Sequence, residues 1–150
     1  MTTSIILIIH TRMEAVLKND FVTVSYNSTK ALLSLNWNLD TTFLKPFKFQ
    51  EILQRVTERV EKLEVKLLLI DTTNFDFVIV PEMQAWLSTE FNQRLAKAGL
   101  RKMAIVLPEA VFVQVAIEQA VQEIKLQPEA PVFEILQADN LTKAQNWLFN

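Results

Sequence analysis

A chain of 150 residues that is half hydrophobic and one-fifth charged is long enough for one domain with its own core, and it has globular, not disordered, composition. Its net charge of −2 and its scattered Lys and Arg argue against a general nucleic-acid or anionic-membrane binder, which carries a basic excess or stripe. With no cysteine there is no disulfide framework, thiol nucleophile or thiolate metal site, and a cytoplasmic protein is the simplest expectation.

In chain order, Ser4 to Ile9 (SIILII) lacks the basic flank and the length of a signal-peptide core, and residues 1–11 read as a short strand or a tail. A membrane span needs about 20 apolar residues in a row, and no such run exists. Met13 to Lys18, Phe21 to Tyr26 and Ala31 to Trp37 are β-rich runs separated by the turn formers Asn19-Asp20 and Asn27-Ser28-Thr29. Apolar residues alternate with small polar ones in Phe21 to Tyr26 and Leu33 to Trp37, the period of strands with one buried face. The expectation is an antiparallel meander.

After Asp40 the period changes. Phe49, Ile52, Leu53, Val56, Val60 and Leu63 fall at helical spacing behind Pro46. Leu67 to Ile70 is a solid apolar run ending in Asp71, as in a strand covered on both faces. Pro81 opens the next helix, with Met83, Trp86, Leu87, Phe91, Leu95 and Ala98 on one side, and Gly99, the only glycine, suits its C-cap. Met103 to Leu107 reads as a second buried strand. Pro108 is expected to open a helix through about Ile124, and Pro128 to Pro131 lie in a turn-rich connector. Val132 to Leu136 gives the last strand, Asp139 or Asn140 an N-cap, and Leu141 to Leu148 a terminal helix. The fold class is therefore α/β: a mixed sheet with an N-terminal antiparallel meander followed by β/α units, helices packed on the sheet, in one domain over residues 1–150.

The succession LLIDTTNF, VPEMQAWLSTEF, AKAGLRKMAIVLPEAVF and FEILQADNLTKAQNWL resembles the small bacterial SpoIIAA-like proteins with a STAS or SEC14-type domain, over about residues 21 to 149. The resemblance implies a SpoIIAA-like fold, a four-turn β/α arrangement, and a regulatory protein-binding module. Many STAS proteins are switched by phosphorylation of a serine in Asp-Ser-Ser-Gly at the start of the second helix. Here the matching stretch is Val78-Ile79-Val80-Pro81, which offers no hydroxyl, so no phosphorylation is expected there.

Catalytic readings find little support. His10, the single histidine, has no nucleophile or carboxylate pattern around it. Asp71 sits at a strand end where α/β proteins place ligand-binding residues, although a turn-forming aspartate is commoner. Asp71 and Asp76 as paired carboxylates would span an irregular loop. Glu82 and Glu109, each after a proline, read as helix-dipole partners. One glycine at a helix end excludes a Walker loop or a dinucleotide-binding turn. No cofactor, metal or enzymatic activity is expected.

The unusual feature is apolar excess. Phe75, Phe77, Val78, Ile79 and Val80 crowd one loop, and Ala110 to Ile117 (AVFVQVAI) has too many apolar residues for one helix face. These residues are core, a partner or homodimer face, or an apolar ligand cleft at the C-terminal strand ends. Asp71, Phe75, Phe77, Ile79 and Phe112 are the candidate partner- or ligand-binding residues. The sequence points first to a non-catalytic interaction or regulatory module, with a small carrier of an apolar or lipid-like ligand as the alternative.

Overall fold

The computed structural model describes residues 14–127 and 133–150. The Ile-rich segment, His10, residues 128–131 of the connector and Val132 lie outside the described residues. Six strands form one sheet in sequential order: β1 (Glu14–Lys18), β2 (Val22–Asn27), β3 (Leu32–Trp37), β4 (Leu67–Asp71), β5 (Lys102–Val106) and β6 (Glu134–Ala138). The first three form the antiparallel meander, with a bulge between Ala15 and Leu17. From β3 to β6 every pairing is parallel, and Leu68 lies opposite both Leu33 and Met103.

Four helices complete the described chain. These are α1 (Pro46–Leu63), α2 (α-helical Pro81–Trp86, a π turn Leu87–Phe91 and α-helical Asn92–Lys97), α3 (Val111–Lys125) and α4 (Leu141–Leu148). The three crossovers from β3 to β6 step in one direction along the sheet. Right-handed connections then put α1, α2 and α3 on the same face. Their apolar sides close over Leu33, Leu35, Leu68, Met103 and Ile105 in the main core. The other face has a smaller core, in which Ala144 and Leu148 of α4 meet Leu32, Leu69, Ala104, Val106 and Ala138. Thus Leu67 to Ile70 lacks polar alternation because both of its faces are packed.

The α2 stripe Met83, Leu87, Phe91, Leu95 is buried. Four-residue steps drift by about 40° each in an α-helix, and the wider π turn in the middle takes up part of that drift. Elsewhere boundaries move from the expected ones. The last helix before the connector begins at Val111, not Pro108: Ala110 is its N-cap in extended geometry, and buried Pro108 belongs to the loop. Glu109 therefore precedes the helix and does not sit in its first turn, whereas Glu82 does sit in the first turn of α2. The last strand runs Glu134–Ala138, two residues later than its apolar composition suggests, because its register is set by pairing Lys102 with Glu134 and Val106 with Ala138. Asn140 caps α4, its Oδ1 accepting from the Lys143 N–H at 2.9 Å.

Two helix ends use left-handed backbone, one on glycine and one not. Gly99 has φ +92 after α2, while Glu64 has φ 54 as the C-cap of α1. A side chain in this region costs about 1–2 kcal/mol. Gly99→Ala should therefore lower stability by about 1–2 kcal/mol, and Glu64→Gly should raise it by about 0.5–1 kcal/mol. Urea midpoints of the two variants against the parent should move in opposite directions.

Candidate functional site

The C-terminal ends of β3, β4 and β5 feed three loops that share one rim of the sheet. After β3 a 3-10 turn (Leu39–Phe43) leads to Pro46 at the start of α1. After β4, Thr72 donates its N–H and its hydroxyl to the Val106 carbonyl, tying the chain to β5. The segment from Phe75 to Val80 is then extended and alternates: Phe75, Phe77 and Ile79 turn inward, while Asp76, Val78 and Val80 turn outward. Asp76 links this loop to the previous one, its N–H donating to Thr41 Oγ1 and its carboxylate accepting from Thr42 Oγ1, both at 2.9 Å.

The inward side chains complete an aromatic cluster. Phe77 stacks on Phe49 with centroids 4.7 Å apart, and Phe75 lies 5.0 Å from Trp37, which in turn stacks on Phe49 at 5.6 Å. Offset and tilted pairs at these distances add to the burial of large apolar surface. Phe75, Phe77 and Ile79 are thus core residues and not the exposed apolar surface that would contact a partner. Phe112, in the first turn of α3, is the opposite case, with 92% of its surface exposed. Within AVFVQVAI, Val113 and Ile117 enter the core while Val111, Phe112 and Val115 face outward.

Asp71 is a turn former. Its Oδ1 accepts from the Thr73 N–H at 2.9 Å and from the Thr73 hydroxyl. Asp71 and Asp76 are therefore committed to different threonines and do not make a pair. Among the described residues no group of three or more His, Asp or Glu is placed to hold a metal ion, and no helix is long and apolar enough to cross a membrane.

Two features escape sequence reasoning. Phe43 and Phe47 are exposed, and with Val78, Val80, Val111 and Phe112 they give each of the three βα connections a pair of exposed apolar side chains, Phe47, Val111 and Phe112 coming from the first turns of α1 and α3. Their signal was a phenylalanine on either side of Pro46, off the buried stripe of α1. The second feature is an apolar cavity of about 80 Å³ between the sheet and the helices. Its lining includes Trp37, Phe75, Ile79, Met103, Ile117 and the polar Asn92. A separate open groove of about 700 Å³ between α2, α3 and β6 is lined largely by Gln and Glu, with Gln84, Gln122 and Gln137 among them.

The burial difference has a direct test. Phe77→Ala should cost about 3–5 kcal/mol, and Phe77→Asp should prevent folding because its carboxylate would be buried without a partner. Phe112→Asp should stay within about 0.5 kcal/mol of the parent. Circular dichroism and urea unfolding of the three variants check this.

No family model, curated protein or solved structure matches this chain.

Proposed function

We propose that this chain is a non-catalytic protein-interaction module, of the SpoIIAA-like kind suggested by its sequence, that docks through the apolar rim of its three βα loops. The observation that carries the reading is the set of six exposed apolar side chains, two from each βα connection counted with the first turn of its helix, with Phe112 at 92% and Phe43 at 75% exposure. Removing such area from water is worth about 25 cal/mol per Å², so covering the rim with a protein partner or a second copy is favourable. The polar side chains nearest the rim support a structural role: Thr72, Asp71 and Asp76 all spend their hydrogen bonds on holding loops in place. The alternative, a carrier of an apolar ligand, draws support from the cavity beside the same loops. Its volume suits a small guest and not a lipid chain, since drug-sized ligands occupy about 300–1,000 Å³.

Native mass spectrometry and sedimentation velocity on protein recovered from its own host test the interaction reading. The expected result is a second copy or a retained polypeptide with the parent. The combined variant Val78→Asp, Phe112→Asp should keep its fold and lose that association. A parent that is monomeric and free of any polypeptide would overturn the reading.

The serine switch of STAS proteins does not transfer. Val80 is the N-cap of α2 and contributes no side-chain hydrogen bond, and Thr72 is buried with its hydroxyl engaged by Val106. Phosphopeptide mapping after incubation with host lysate and ATP should find no phosphate from Val78 to Pro81. Stoichiometric phosphate on exposed Thr73 would show that a switch operates from the preceding turn.

A further inference from the structure

We propose, building on the rim reading, that the part of the apolar rim carried by α2 and α3, together with the groove that continues from it, receives a basic segment of another protein, one that presents apolar side chains flanked by lysines or arginines.

The distribution of cations points to such a partner. Between Lys66 and Arg94 the chain has no lysine, arginine or histidine, and between Lys102 and Lys125 it again has none. These stretches hold β4 with most of α2, and β5 with most of α3. In them Asp76, Glu82, Glu90, Glu109 and Glu118 are exposed, and none of the five has an ion-pair partner among the described residues. Arg94, Lys97 and Lys125 stand in the last turns of the two helices, at the end remote from the rim. Carboxylates near helix N-termini and cations near C-termini suit the helix dipoles, and the consequence here is a stretch of rim without a positive side chain. The α1 side differs, since Lys45 and Lys48 flank its exposed Phe47, so it is not part of the proposed surface.

Apolar and acidic groups share this surface. Val78 and Val80 lie between Asp76 and Glu82 in the chain, and Val111 and Phe112 follow Glu109. Val115, three residues after Phe112 and therefore its neighbour on the next turn, is 43% exposed and lines the open groove of about 700 Å³ with Gln84, Glu118, Gln122 and Gln137. The rim thus continues into a concave surface. No cation lines the groove, and its carboxamides can both donate to and accept from the backbone of an incoming segment.

Charge decides between occupants. A second copy docking by a two-fold axis through this surface would set the same patch against itself, carboxylate facing carboxylate. An anionic membrane or a nucleic acid meets the same repulsion. A protein segment with lysines or arginines around apolar anchors covers the exposed valines and Phe112, and its charges match the surface, which speeds encounter and fixes register.

The test uses the whole chain and three synthetic helical peptides: leucine and lysine at amphipathic spacing, the same with glutamate for lysine, and the same with serine for leucine. Binding is followed by fluorescence anisotropy and NMR shift mapping. The Leu/Lys peptide should bind at least about tenfold tighter than either control, shift the resonances of Val78, Phe112, Val115 and Gln122, and weaken as salt approaches 1 M, where the screening length is about 3 Å. Glu109→Lys, Glu118→Lys, at two exposed positions, should weaken it about tenfold and strengthen the Leu/Glu peptide. Val78→Ser, Phe112→Ser, which removes apolar surface without changing charge, should weaken the Leu/Lys peptide to the level of the Ser/Lys control. Leu/Lys and Leu/Glu peptides bound equally, and both lost in the serine variant, would overturn the basic partner and leave the rim reading standing. Leu/Lys binding undiminished in the serine variant would overturn both. Self-association of the parent through the same residues, sedimentation with phosphatidylglycerol vesicles, or failure of all three peptides to bind would each overturn the proposal.

Discussion

The architecture depends on the burial of Leu67 to Ile70 between two layers. Leu68 enters the main core under α1, α2 and α3, while Leu69 meets Ala144 and Leu148 of α4 in the smaller one. A strand packed on both faces has to lie inside the sheet, and parallel pairing to β3 and β5 on either side puts it there. Because each crossover moves one strand further in the same direction, the three crossover helices cannot divide between the faces. The second face is left to α4, and over β2 and β3 it carries Thr23, Ser25, Ser34 and Asn36.

That one-sided winding also shapes the end of the molecule at which the parallel strands finish. Three successive βα loops emerge side by side, and each has to turn from the sheet back to the same helical layer. The loop after β4 does so by laying an extended segment across the helix side, where Phe75, Phe77 and Ile79 serve as core for Trp37 and Phe49. In an extended chain, alternate residues point away from whatever the chain covers. Val78 and Val80 are thus exposed as the geometric consequence of burying their neighbours. The apolar rim and the aromatic core are two sides of the same segment, which is why substitutions one residue apart should have such different effects.

The interior cavity and the rim answer to different physics. The rim is area that association would remove from water, and its contribution scales with the surface covered. The cavity is a small volume with apolar walls, where the governing quantity is van der Waals packing against those walls. A ligand in the cavity would touch Phe75 and Ile79 from within while a partner on the rim would touch Val78 and Val80 from outside.

Local chemistry is what the sequence by itself determined. The change from period two to helical spacing after Asp40, the prolines at 46 and 81, Gly99 with its positive φ and Asn140 at its N-cap each impose a backbone preference through their immediate neighbours, and those elements stand where they were expected. The tertiary structure decided what depends on distant partners. Phe75-Asp76-Phe77-Val78-Ile79-Val80 shows its alternation in the sequence, but which phase faces inward is set by Trp37 and Phe49, more than 25 residues away. Likewise Pro108 could open a helix by its own φ, yet the ladder from β5 runs right up to it, with the Leu107 N–H donating to the Ala138 carbonyl, and the helix waits until Val111. Asn92 lies among Glu90, Gln93 and Arg94, and helical periodicity assigns it to solvent. Only the π turn brings it inside, because packing against the sheet and α3, not local sequence, sets the pitch of that helix.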